Sequence, residues 1–128
     1  MRLLLDTHTF LWYTVGDPRL SSVARAHIDN RSNERLLSVA SVWEIAIKVS
    51  NGKLALSGGL DQFIKDQLRR NWIQLFSITL AHIVRVSVLP FYHRDPFDRL
   101  LIAQALEEGI CILGDDARFD DYNVPRIW

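Results

Sequence analysis

Four short apolar runs, at residues 2–5, 36–39, 73–78 and 110–113, are separated by stretches whose apolar residues recur at helical spacing. Runs of this length that are apolar on both alternating faces read as strands covered from two sides. The intervening segments have recognisable ends: 41–48 is closed by Asn51-Gly52, and 96–108 opens on a proline and is closed by Gly109. Parallel neighbours in a sheet need long crossover connections, usually helices, so the alternation predicts an α/β domain around a mainly parallel sheet. An amphipathic segment is expected over 60–72, after the loop Ser57-Gly58-Gly59, and a last short strand within 124–127. The chain has 128 residues and shows no repeat, low-complexity tract or linker, so one domain over 1–128 is expected.

Charge narrows the function classes. Lys plus Arg number 15 and so do Asp plus Glu, so the whole chain offers no electrostatic footprint for a polyanion, and any contact with nucleic acid must be local. The single cysteine, Cys111, lies inside an apolar run, which excludes an intrachain disulfide framework and a cysteine zinc site and reads as a small buried hydrophobe. The opening Met-Arg-Leu-Leu-Leu-Asp is too short an apolar run for a signal peptide or a membrane span, so a cytoplasmic protein is expected.

The acids fall where an α/β sheet binds ligands, beyond the carboxyl ends of the strands. Asp6 follows the first run directly; Asp115 and Asp116 follow the 110–113 run across one glycine; Glu44 and Asp98 lie early in the helices after residue 39 and from Pro96. Carboxylates brought together repel one another unless a cation neutralises them. Oxygen ligands without a Cys or His cluster suit Mg²⁺ or Mn²⁺, and such ions serve phosphodiester hydrolysis. Two of these acids also have an architectural reading. Ser41-Val42-Trp43-Glu44 matches a capping box, and Asp95-Pro96-Phe97-Asp98 matches an N-cap, a first-turn proline and a first-turn acid. One member of the Asp115 and Asp116 pair can equally begin a turn.

The ordered set Leu3-Leu4-Leu5-Asp6-Thr7-His8, Leu37-Ser38-Val39-Ala40-Ser41-Val42-Trp43-Glu44-Ile45, His93-Arg94-Asp95-Pro96-Phe97-Asp98-Arg99-Leu100-Leu101-Ile102-Ala103-Gln104-Ala105 and Asp115-Asp116-Ala117-Arg118-Phe119 resembles the PIN-domain ribonucleases, and within them the VapC-type toxins of toxin–antitoxin operons. The resemblance runs over essentially the whole chain. It implies a three-layer α/β/α sandwich, binding of Mg²⁺ or Mn²⁺, endonucleolytic cleavage of RNA, a homodimer, and inhibition by a cognate antitoxin. It places the family's metal-binding, catalytic acids on Asp6, Glu44, Asp98 and Asp116, with Asp6 and Asp98 as the first direct ligands. Relatives usually carry Thr or another small polar residue two positions before the last acid, where this chain has Gly114, and Asp115 stands where Asn is common. The choice between Asp115 and Asp116 therefore stays open.

Arg94 and Arg99 are candidate phosphate contacts, since a guanidinium recognises phosphate through two hydrogen bonds, and local ion pairing is the competing reading. His8 and His93 sit beside acids and read as packed or supporting groups. Of the four tryptophans, Trp12 and Trp43 interleave with apolar residues and read as core or dimer packing, although aromatic rings also stack on unpaired bases. A haloacid-dehalogenase-like phosphatase would need an acid where His8 stands, and a receiver-like domain would need a late lysine, yet none follows Lys65. A non-catalytic PIN-fold protein acting only within a regulatory complex is the alternative to the enzyme.

Overall fold

Period-two alternation inside the apolar runs decides the layers. The computed structural model describes residues 1–128. Strands β1 (Arg2–Leu5), β2 (Glu34–Ser38), β3 (Ile73–Phe76), β4 (Cys111–Leu113) and β5 (Arg126–Ile127) form one sheet in the order β3-β2-β1-β4-β5, with every neighbouring pair parallel. The register sets Leu4 beside Leu36 and Ile112, and Leu5 beside Leu37 and Leu113. The first trio packs into a core with Leu101, Ile102 and Phe119, whereas the second packs with Phe10, Ile28, Ile45 and Ile64 on the other face. Adjacent residues of one strand thus feed opposite cores, which is why the runs are apolar without interruption.

The helices are α1 (Thr7–Val15), α2 (Ser22–Asp29), α3 (Val39–Ser50), α4 (Gly59–Asn71), α5 (Leu80–Ser87) and α6 (Pro96–Glu108), with a 3-10 helix over Ala117–Tyr122. Helix α6 starts where expected: the Asp95 carboxylate accepts from the N–H groups of Phe97 at 2.9 Å and Asp98 at 3.0 Å, and Gly109 closes it in the left-handed region. Helix α5 opens on a capping box with histidine in the usual glutamate's place, Thr79 N–H donating to His82 Nδ1 at 3.0 Å. The opposite ring nitrogen of His82 meets Glu108 at 3.0 Å and ties α5 to α6.

Four expectations shift. The second strand ends at Ser38 rather than running to Val39, because Ser38 Oγ accepts from Ala40 N–H at 3.0 Å and starts α3 there. The third strand stops at Phe76, two residues early, and Trp43 is 58% exposed, resting edge-on against Phe97 instead of filling the core. Cys111 is only partly buried. No helix is long and apolar enough to cross a membrane.

Candidate metal centre

Strand order reverses between β2-β1 on one side and β4-β5 on the other, so the loops leaving β1 and β4 diverge and open a cleft. The cleft has a volume of about 690 Å³, and its wall includes Asp6, Asp95, Asp98, Asp115 and Asp116. Asp6 follows β1 at the N-cap position of α1 but makes no side-chain cap bond there, which leaves its carboxylate free for the cleft. Asp98 comes from the first turn of α6 and Asp116 from the start of the 3-10 helix after β4.

Glu44 stands outside the cleft wall yet close enough to act on it, since its charge raises the pKa of both Asp6 and Asp98. It is not part of a capping box. Because α3 begins at Val39, Glu44 lies beyond the first turn, and its Oε1 accepts a hydrogen bond from the Thr7 hydroxyl at 2.8 Å. The buried Ser41 hydroxyl lies 2.9 Å from the same Thr7 oxygen, so a short hydroxyl chain fixes that carboxylate from behind. Lys48, one turn on, approaches its other oxygen at 3.7 Å.

Electrostatics divides the acids. Burial, with the charges of Glu44, Asp115 and Asp116, pushes Asp6 up to about 7. Burial, then the charges of Asp6 and Asp95, pushes Asp98 up to about 7 as well, against the opposing pull of His93. Burial would raise Asp116 too, but hydrogen bonds from the Arg118 side chain and backbone and from His93 outweigh it and hold Asp116 at about 2. Asp115 is exposed on the rim.

His93 links the two sides. Its ring is 1% exposed, and Nδ1 accepts from the Asp95 N–H at 3.1 Å, so in the neutral ring the proton sits on Nε2. Nε2 lies 2.8 Å from Asp116 Oδ2 and 3.0 Å from Asp98 Oδ2. The ligand atoms of His93, Asp98 and Asp116 fall within 4.8 Å of one another, but a protonated Nε2 cannot coordinate a cation. This makes His93 a positioning residue for two carboxylates. Its place next to Asp95 was visible in the sequence, but its reach to Asp116, 23 residues on, was not.

Gly114 sits at the floor. A Cβ there would lie 3.0 Å from Asp6 Cβ, 3.2 Å from Asp6 Oδ2 and 3.3 Å from Phe119 Cε2. The absence of a side chain is what lets Asp6 stand against β4.

Neither of the two arginines singled out in the sequence lines the cleft. Arg99 is 5% exposed, and its guanidinium donates to the carbonyls of Pro90 at 2.9 Å, His93 and Leu89 at 3.3 Å and Val86 at 3.4 Å, closing the end of α5 and the loop after it. One residue along a helix turns the side chain by about 100°, so Asp98 and Arg99 face different directions despite being adjacent. Arg94 is exposed and does not line the cleft. The cations that do line it are Arg19 and Arg118, beside His8 and Trp12.

The family model for the PIN domain matches residues 3–125. Ribonuclease VapC22 of Mycobacterium tuberculosis (strain ATCC 25618 / H37Rv) is 27% identical over 125 residues, covering 97% of this chain and 94% of that protein. Ribonuclease VapC16 of the same strain is 34% identical over 89 residues, 60% of this chain and 63% of that protein. Among solved structures, VapBC2 from Rickettsia felis bound to a DNA fragment from their promoter superposes with a TM-score of 0.75 at 15% identity, over 99% of this chain and 98% of the other.

Proposed function

The chain belongs to the PIN domain family, and from that premise we propose that it is a divalent-metal-dependent endoribonuclease serving as the toxin of a toxin–antitoxin pair. The observation that carries the metal is the pair Asp6 and Asp98, both pushed up to about 7 by burial and by each other's neighbourhood of acids. Such a cluster is relieved by a cation, and an all-carboxylate set fits a hard ion, for which we propose Mg²⁺ or Mn²⁺. Asp6 and Asp98 would hold it, with Glu44 and Asp116 completing the set and Asp115 at the rim. When bound, the ion polarises a phosphoryl oxygen and lowers the pKa of a water at the scissile phosphodiester.

The chain's own groups do the arranging. Thr7 and Ser41 fix the Glu44 carboxylate, His93 Nε2–H spans Asp98 and Asp116, and the Asp95 cap sets the first turn of α6 that carries Asp98. Preset positions of this kind remove the reorganisation that an attacking water and a phosphate would otherwise require.

The same reading gives the chain a cognate antitoxin as partner, RNA as substrate, and the cytoplasm as its place of action. An antitoxin segment bearing a basic residue would suit a cleft walled by five acids. A homodimer accords with the exposed apolar residues Leu80, Ile83, Val84 and Val88 on and just after α5.

The test is cleavage of a mixed RNA pool with Mn²⁺, with excess chelator, and after Asp6→Asn. We expect cleavage only with the metal and at least a hundredfold less by the variant. Cleavage undiminished in chelator would end the metal mechanism, and no cleavage by a protein that still binds its antitoxin would favour the non-catalytic reading.

A further inference from the structure

Both arginines of the cleft wall are held by the same arrangement. In Asp17-Pro18-Arg19 the Asp17 Oδ1 accepts from the Arg19 backbone N–H at 2.9 Å and from Nε at 3.1 Å, while Oδ2 accepts from Nη2 at 2.7 Å. In Asp116-Ala117-Arg118 the same three bonds recur at 3.0, 3.0 and 3.0 Å. The spelling Asp-x-Arg also occurs at Asp29-Asn30-Arg31, but there Asp29 accepts from the Tyr13 hydroxyl and Arg31 lies over Trp72. The clamp is thus not a reflex of sequence, and the arginine of each occurrence lines the acid cleft.

Each clamp uses the Nε and Nη2 edge of the guanidinium and leaves Nη1 without an acceptor inside the chain. Arg19 is held further by its stacking over Trp12, 5.0 Å from the ring centre, on a loop fixed by the Asp17 N–H to Trp12 carbonyl bond and by buried Leu20. Both side chains remain open to solvent at 68% and 60%. An arginine whose plane is already fixed loses less freedom on binding a phosphate than a free one does. A cleft of five carboxylates repels a polyanion, and these two groups are its only Lys or Arg side chains.

We propose that Arg19 and Arg118 are the substrate contacts of this cleft, each taking a phosphate of single-stranded RNA beside the scissile bond through its free edge. The inference rests on the ribonuclease reading and supplies what that reading lacks, the groups that bring a polyanion to an acidic site.

The experiment is kcat/KM on a short single-stranded oligoribonucleotide with Mn²⁺ over a range of KCl concentrations, for wild type, Arg19→Ala, Arg19→Lys, Arg118→Ala and, as a charge-matched control, Arg69→Ala on α4. Melting temperature and calorimetric Mn²⁺ affinity are measured in parallel. We expect kcat/KM to fall about tenfold in each cleft alanine variant, mostly through KM. The log–log salt slope should become shallower by about 0.7 for each lost phosphate contact. Arg19→Ala should leave Mn²⁺ affinity unchanged, Arg19→Lys should restore the slope but only part of the rate, and Arg69→Ala should match wild type. Wild-type salt slopes in both cleft alanine variants would overturn the proposal while leaving the ribonuclease standing. A slope change as large in Arg69→Ala would overturn it too, by making the effect one of net charge. If the wild-type protein cleaves no RNA at all, the ribonuclease reading falls and this subsite falls with it.

Discussion

Asp98 and Asp116 share one histidine and expose the same 20% of their side chains, yet their carboxyls are driven in opposite directions, to about 7 and to about 2. Burial acts upward on both. Asp98 then faces Asp6 and Asp95, whereas Asp116 faces the fork and the backbone N–H of Arg118. What separates them is the company each keeps, and the lesson is that an acid cluster can hold a site together at one end while leaving it under tension at the other.

The same chemical change should therefore have opposite consequences at the two ends. Asp98→Asn is expected to lower RNA cleavage by orders of magnitude while leaving the metal-free melting temperature equal or higher, because it removes a charge from a repulsive group. Asp116→Asn is expected to lower metal-free melting by about 2–4 °C, since the charge it removes is one that Arg118 pairs with and His93 hydrogen-bonds. Paired thermal unfolding in chelator and RNA cleavage assays decide it; melting shifts of the same sign in both variants would break the contrast.

A smaller effect sharpens it. Asp6 and Asp98 keep their protons in the folded chain up to about 7, but lose them in the unfolded chain near the ordinary carboxylate value of 3.8. The folded state binds more protons between those limits, so metal-free stability must fall as pH rises through that window and level off above it. Melting in chelator should drop on the order of 5 °C between pH 5.5 and 8, and Mn²⁺ at pH 8 should reverse the drop. A pH-independent melting temperature would mean that the two acids are not strained.

The smallest effect belongs to Asp95, which lines the cleft but spends one oxygen on two backbone N–H groups. Asparagine caps a helix about as well as aspartate, so Asp95→Asn should move melting by only a degree or two and reduce cleavage far less than Asp98→Asn. A loss of cleavage equal to that of Asp98→Asn would place Asp95 among the ligands.

Strands β1, β2 and β4 were legible because each feeds apolar residues to both faces, and α6 because Asp95, Pro96 and Gly109 are explicit start and stop signals. The cap of α3 was misplaced by three residues, at Ser41 instead of Ser38, since serine caps a helix at either place and only the end of β2 selects Ser38. Asp6, Asp98 and Asp116 were legible as strand-end and helix-start acids. The hydroxyl chain behind Glu44, the reach of His93 and the clamps on Arg19 and Arg118 were not, because most of them depend on side chains that meet across the sheet. Arg99 failed for the opposite reason: adjacency to an acid in sequence said nothing about which way a helix turns it.

The bare floor at Gly114 bears on how members of this family are compared. With a threonine at that position, the carboxylate that stands against it here would have to move aside, because β1 and β4 are hydrogen-bonded neighbours and their seam cannot slide to make room. Two chains can therefore spell the same four acids in the same order and still hold them at different separations. Matching motifs certify the parts of such a pocket, while its dimensions are inherited from a missing side chain two residues before the last of those acids.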